Sequence, residues 1–334
     1  MSELTEFEWH KLNDDMKLEV IKRSSYLTRC RLRKCSKSDK SLVDRVPISE
    51  IEIGFAEDEY RHTEDSKPYL MVHDAVNDEN WSYNKGDDKD RIADFMRIFN
   101  NRNTLVRRVY FDFFSDDSNS CPFFSKLLTE LDAHPKCIIQ SEHFDWRCHQ
   151  ASEQYLLQVL EKFDSHNLKK ISLNGIISEE KVKALSETDQ WKNTSKFDIA
   201  TSPSFGELDN DVKVKSEYIQ HAENVHMKVG NMKGDEIWQL IKNYRESDRN
   251  VASFFMLDVD QEYFEWKDVL LLFDVPVTNV SVASESSTTH TQRFEMSTRG
   301  RVLVVELSNY GVKGCVCREE QIDEDFNRVF NEED

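Results

Sequence analysis

The sequence is poor in the residues that loosen a chain. Glycine occurs 9 times and proline 6 times in 334 residues, so long flexible linkers are not expected. No apolar run approaches the roughly 18 residues of a membrane-spanning helix. The opening MSELTEFEWHKLNDDMKLE has no apolar stretch of the kind a secretion signal carries. The seven cysteines are scattered and odd in number. A disulfide framework is therefore not expected, and an intracellular setting, cytoplasmic or nuclear, is. Sequons at Asn80, Asn193 and Asn279 then read as chance.

Catalytic signatures are missing as well. There is no Walker A sequence, no G-x-G-x-x-G, no G-x-S-x-G, no H-E-x-x-H and no C-x-x-C. His143, Cys148 and His149 lie close in sequence, but without a fourth ligand at a recognised spacing they read as packing or surface residues rather than a metal site. Cys315 and Cys317 read as buried thiols on one face of a strand, Trp191 as a core anchor, and the SESSTTHT run at 284–291 as a polar loop. No cofactor, no metal and no enzymatic activity are expected.

What is present is apolar material and negative charge. Hydrophobic residues make up 38% of the chain and aromatic residues 11%, including 20 Phe and 6 Trp, enough for a large core. The net charge of −19 disfavours nucleic acid and anionic membranes as partners. The charge is uneven: residues 22–45 hold nine Lys and Arg against Asp39 and Asp44, and the chain beyond residue 45 carries −22. Two modules, 1–45 and 46–334, are expected from that contrast.

Residues 10–45 read as short helices. Asp14 and Asp15 suit a helix start, and Met16, Leu18, Val20 and Ile21 come next as an apolar cluster. A second helical segment runs from Thr28 to Leu42 and carries Leu32. Helices this short need packing partners. A helical cap on the larger domain and a basic helix-turn-helix are the competing readings, the latter disfavoured by the acidic remainder.

Beyond residue 100 the pattern apolar-x-x-apolar-x-apolar recurs, at Val106/Val109/Phe111, Leu168/Ile171/Leu173, Thr194/Phe197/Ile199, Ala222/Val225/Met227, Val251/Phe254/Met256 and Val277/Val280/Val282. From residue 168 the starts are 26, 28, 29 and 26 residues apart, and a weaker copy lies near Ile138. Helical patterns fall between them, at 123–131, 155–163, 237–244 and 264–273, with Ser178 and Asp235 as N-caps. The expected fold is α/β: an N-terminal helical module, then a leucine-rich-repeat-like strand–helix solenoid. Antiparallel β segments at 47–84 and 292–318 are expected at its two ends, and a doubly wound sheet is the alternative. In such a stack the residues between the buried positions face outward. That places Tyr110, Ser172, Asp198, His226 and Phe255 on one substrate-binding face.

Two resemblances join these readings. LNDDMKLEVIKRSSYLTRCRLRKCSKSDKSLVD at 12–44 resembles an F-box, matching at Leu12, Asp14, Asp15, Met16, Leu18, Val20, Ile21, Leu32, Arg33, Ser36, Lys37 and Leu42. It departs at Asn13, where Pro is usual, at Ser24, usually Leu, and at Asp39, often Trp. The segments LKKISL (168–173), TDQWKNTSKFDI (188–199) and HAENVHMKVGNMKGDEIWQLIKNY (221–244) resemble the FTH domain, over most of 48–280. FTH domains follow F-boxes in a family expanded in nematodes. The resemblance implies a substrate-recruiting adaptor of a Skp–cullin–F-box ubiquitin ligase. Leu12, Asp14, Met16, Leu18, Val20, Ile21 and Leu32 would then dock on a Skp-family protein, and the larger domain would bind a protein substrate. A binding module acting outside any ligase, with the helices only a structural cap, is the alternative.

Overall fold

The structure, a computed structural model, describes residues 9–49, 51–57, 68–75, 78–83, 87–99, 104–113, 120–148, 150–175, 177–200, 214–229, 232–259, 266–276, 280–284 and 287–331. The chain divides into two compact units. One comprises Met1–Glu142 and Lys162–Asn167, the other His143–Glu161 and Leu168–Asp334.

The first unit opens with three short helices, each started by a polar cap. In α1 (Asp14–Lys22) the Asn13 side chain accepts a hydrogen bond from Met16 N at 2.9 Å. Ser25 does the same for α2 (Tyr26–Cys35) and Ser36 for α3 (Lys37–Val43). The single helix expected over 28–42 is thus two. The extended backbone at Ser36 (φ −157°, ψ 163°) breaks it, and the Ser36 hydroxyl caps α3. Ile21, Leu42, Val43 and Val46 form a small core, with Trp9, Leu18 and Leu32 packed against it.

The rest of this unit is built on a mixed sheet, in the order β4 (Arg108–Phe113), β1 (Ile51–Ala56), β2 (Tyr69–Asp74), β3 (Glu79–Tyr83). β1 runs parallel to β4 and antiparallel to β2, and β2 is antiparallel to β3. The amphipathic helix α4 (Asp88–Phe99) and α5 (Ser120–Ala133) supply the apolar side chains that cover it. The core is largely phenylalanine: Phe55 lies 4.7 Å from Phe123 and 5.2 Å from Phe95, ring centre to ring centre, and Phe113 lies 5.0 Å from Phe124.

The second unit is a succession of parallel strands and helices: β5 (His143–Cys148), α6 (Glu153–Leu160), β6 (Lys170–Asn174), α7 (Glu179–Ser186), α8 (Asp189–Asn193), β7 (Lys196–Ala200), α9 (Ser216–Ile219), β8 (Asn224–Val229), α10 (Gly234–Glu246), β9 (Phe254–Val259) and α11 (Trp266–Leu270). Strands β5 to β9 lie side by side in chain order, all parallel. The sheet continues antiparallel through β13 (Gly311–Arg318), β12 (Arg301–Ser308), β11 (Ser287–Glu295) and β10 (Val280–Ser284), and the chain closes with α12 (Ile322–Asn331). One face buries Ile171, Leu173, Phe197, Ile199, Val225 and Met227, the positions the apolar pattern marks. Trp191 is fully buried there, 4.5 Å from the Phe197 ring, and its indole donates to the Tyr218 carbonyl at 2.7 Å.

Two expectations, for α10 and for β9, need correction. Helix α10 begins at Gly234 after Lys233, so Asp235 sits inside the first turn, where its charge suits the helix dipole, rather than at the cap. Cys148 is a buried strand residue and the His143 ring hydrogen-bonds Ser172 Oγ at 2.8 Å. His149 lies outside the described residues, among which no group of metal-ligating side chains occurs. Second, β9 is offset by one residue from the sequence reading. Phe255, Leu257 and Val259 face the core, and Phe254, Met256 and Asp258 face out. Both parities of this strand offer apolar side chains, and pairing of Phe255 with Val225 and of Leu257 with Met227 decides between them.

Candidate functional site

The N-terminal helices present two apolar faces. At 100° per residue, Leu18 and Ile21 fall on one side of α1 and Met16 and Val20 on the other, with Leu12, before the cap, beside the latter pair. Ile21 is fully buried, and Leu18 and Leu32 are half-buried against the same small core. These three hold the module together, so the expectation that Ile21 touches a partner is corrected by its lack of exposure. Met16 is 54% exposed and Val20 37%. With Leu12, Asp15 and Glu19 they line a shallow outward depression. Asp14 is exposed in the first turn of the helix.

Two departures from the F-box pattern have structural roles. Asn13 is the α1 cap already described. Asp39 is buried within the module and accepts hydrogen bonds from Trp9 Nε1 at 2.8 Å and Ser36 Oγ at 2.7 Å, with Lys17 Nζ 3.8 Å away. The Ser36 and Trp9 bonds, with smaller help from Lys17, lower its pKa against the effect of burial. Trp9, which stands before the 12–44 segment quoted above, packs on the small core of the module. Its signal in the sequence was an indole with no other local use.

The second unit carries a row of polar side chains on its other sheet face, buried at Asp145 and Ser172 and partly exposed at Asp198 and His226. Register sets Asp145, Ser172, Asp198 and His226 side by side on β5 to β8, with Asp258 one step further along β9. Lys170 Nζ lies 3.3 Å from Asp198, and His226 donates from Nδ1 to Asp198 at 3.3 Å and from Nε2 to Asp258 at 3.1 Å. The bonds to Asp198 and Asp258 raise the His226 pKa to about 9. Burial disfavours the Asp198 anion, but His226 and Lys170 outweigh it and lower that pKa to about 2. The face therefore carries a fixed imidazolium between two carboxylates at neutral pH.

The structure brings Ser172, Asp198 and His226 together, though Ser172 is buried beside His143. Tyr110 belongs to the first unit. Its half-buried ring packs over Gly54, where a Cβ would come within 2.6 Å of the ring, and Arg108 lies 5.3 Å above it. Phe255 is not a surface residue: it is fully buried, edge-on to Tyr244 at 4.9 Å, with its ring over Gly314. Lys170 lies on the outward row expected from strand alternation, and Asp258 is the member of this network absent from it, hidden by the offset in β9.

The helical module with its exposed apolar stripe at Met16 and Val20, and the strand–helix sheet that follows it, both have counterparts among known families. The F-box domain model matches residues 9–50 and the FTH domain model residues 124–274. An uncharacterized F-box protein of Caenorhabditis elegans is 45% identical over 51 residues, which are 15% of this chain and 13% of that relative. The chain belongs to the F-box proteins that carry an FTH domain. Both are adaptor or interaction modules rather than known enzyme families, and F-box domains in general bind Skp-family adaptors of cullin ligases. Among the described residues no helix is long and apolar enough to cross a membrane.

Proposed function

We propose that this chain recruits a protein substrate to a Skp–cullin–F-box ubiquitin ligase, in the cytoplasm or nucleus, and is itself not an enzyme. Leu12, Met16 and Val20 dock on the Skp-family adaptor, supported by Asp14 and by the inward residues Leu18, Ile21 and Leu32 that hold the helix in place. The succession of parallel strands acts as a leucine-rich-repeat-like solenoid whose outer face, at Asp198, His226 and the neighbouring Ser172, receives the substrate. Tyr110 adds an aromatic contact on the first unit.

The observation that carries this reading is the exposure of Met16 and Val20 on a helix whose other side is already buried. Amphipathic helices dock through such i, i+4 anchors, and truncating central anchors costs about 2 kcal/mol or more each. The test is binding of full-length Met16→Ala/Val20→Ala to a purified Skp-family protein. Affinity should fall roughly a thousandfold with no change in thermal unfolding. Unchanged affinity, or no binding by the parent protein, would leave the helices as a structural cap. Ile21→Ala is unsuited to this test because it removes core packing.

A further inference from the structure

The basic charge of residues 22–45 is not used by either surface above. Within the first unit, α2 is held to the sheet by Tyr26 N, which donates to Asp74 Oδ2 at 2.9 Å, and by contact of the Tyr26 and Trp81 rings at 6.2 Å. Beside these ties a cleft of about 710 Å³ remains open between α2, α3, β2, β3 and α4. That size is in the range of pockets that take a ligand. Its floor is apolar: Val43, Val46, Leu70, Val72 and Ile98 are all buried. Burial raises the pKa of the Tyr26 hydroxyl and of the Cys30 thiol, which marks the wall between them as poorly solvated.

The rim is cationic. Arg29, Arg33, Lys34, Lys40 and Arg97 face Asp44 and Asp94. Both carboxylates are engaged, Asp44 by Arg33 at 2.5 Å and Asp94 by Arg97. Arg29 donates to the carbonyls of Ser24, Pro47 and Lys22, which fixes its guanidinium at the rim, with Asp74 near enough to favour its charge. Lys34 and Lys40 are exposed and make no ion pair among the described residues. The chain as a whole is acidic, but at physiological salt charges farther than about 8 Å are screened, so a ligand in the cleft responds to this rim.

We propose that the cleft binds an acidic peptide of a partner protein, a bulky apolar side chain entering the floor and flanking carboxylates meeting Lys34, Lys40 and Arg29. It is a third surface, distinct from the outward stripe of α1.

The test uses the full chain and a fluorescein-labelled peptide, Glu-Asp-Leu-Phe-Asp-Glu-Glu, read by fluorescence anisotropy. Binding should weaken about tenfold or more in Lys34→Glu/Lys40→Glu and in the milder Lys34→Gln/Lys40→Gln, and also in Cys30→Trp, which fills the cleft. It should weaken as salt is raised from about 50 to about 300 mM. Met16→Ala/Val20→Ala should bind as the parent does, which separates this site from adaptor docking. A peptide with Leu-Phe replaced by Ser-Ser should not bind. The proposal is overturned if the labelled peptide fails to bind at concentrations on the order of 1 mM, if a peptide with Lys in place of each acid binds equally, or if the lysine variants bind as the parent does. Binding of sodium dodecanoate without binding of the peptide overturns it too, since the cleft would then be a site for small amphipathic anions.

Discussion

Raising the pH from about 6 to about 10 should remove a stabilising contribution of His226. Its imidazolium persists to about pH 9 against an ordinary value of 6.5, because it donates to Asp198 and Asp258. Taken at face value that difference is worth roughly 3 kcal/mol. The side chain is 36% exposed, and solvent screening brings the contribution to about 1 kcal/mol. Because the folded pKa is raised, the contribution is complete below about pH 6.5 and disappears as the pH climbs to about 9. Other groups titrate in this window, so the quantity to measure is the difference in urea-unfolding free energy between the parent and His226→Gln. It should be about 1 kcal/mol at pH 6 and close to zero above the folded pKa. An NMR titration of the ring gives a direct reading. If the ring titrates near 6.5, or if the difference is the same at both ends, the network does not hold the proton and the face changes charge within the physiological range.

Other substitutions probe other parts of the structure. Asp39→Ala should destabilise the N-terminal module by about 2 kcal/mol, since it strips a charged acceptor from Trp9 and Ser36; chemical denaturation followed by Trp fluorescence measures it. As the Asp39 pKa is lowered, that contribution should be present above about pH 4 and fade as the pH falls through the folded pKa. Asn13→Ala should cost about 1 kcal/mol through loss of the α1 cap. Asn13→Pro should cost less by the same measurement, because the native φ of −73° already suits proline.

The parallel strands were legible where one parity alone was apolar. At Leu168/Ile171/Leu173 and Ala222/Val225/Met227 every inward position is buried in the structure. Legibility failed at 254–259, where Phe254 and Met256 compete with Phe255 and Leu257. There the choice rests on long-range pairing with β8, which no local window contains. Strand β5 registered only as a weaker copy of the pattern near Ile138, for a related reason: Phe144, Asp145 and Trp146 are all buried, so its alternation is blurred by an acidic side chain. In α1, composition identified the apolar residues but treated them as one set. Dividing Ile21 from Met16 and Val20 requires knowing which side already has a partner. The network at Asp198, His226 and Asp258 combines residues about 30 positions apart in sequence and becomes visible only once register is known.

The outer face of the second unit is partly exposed on β7 and β8, at Asp198 and His226, but covered on β9, β12 and β13, and α12 is the cover. Ile322, Phe326, Val329 and Phe330 of this helix pack on Val302, Val304, Cys315, Cys317 and Phe254. Those strand residues are apolar, so this part of the face is a continuation of the core, whereas the part carrying Lys170, Asp198 and His226 can remain in water. One buried carboxylate fastens the cover. Asp325 accepts from Arg318 N at 2.9 Å, Arg318 Nε at 3.0 Å and Arg318 Nη2 at 2.6 Å, with Arg328 at 3.4 Å. Removing it in Asp325→Ala should cost about 2 kcal/mol, discounted from the full value of a buried pair because Arg318 is partly exposed. If α12 opens as a local unit, that loss raises its open population about 30-fold. Cys315 and Cys317 are fully buried beneath it, and burial and their mutual contact push the Cys315 thiol upward. Both should react with a thiol reagent about 30-fold faster in Asp325→Ala, while the exposed Cys35 reacts at an unchanged rate and serves as an internal control. Equal rates at Cys315 and Cys317 in parent and variant would show that these thiols open only with the whole unit, and that α12 is part of the core rather than a cover laid on it.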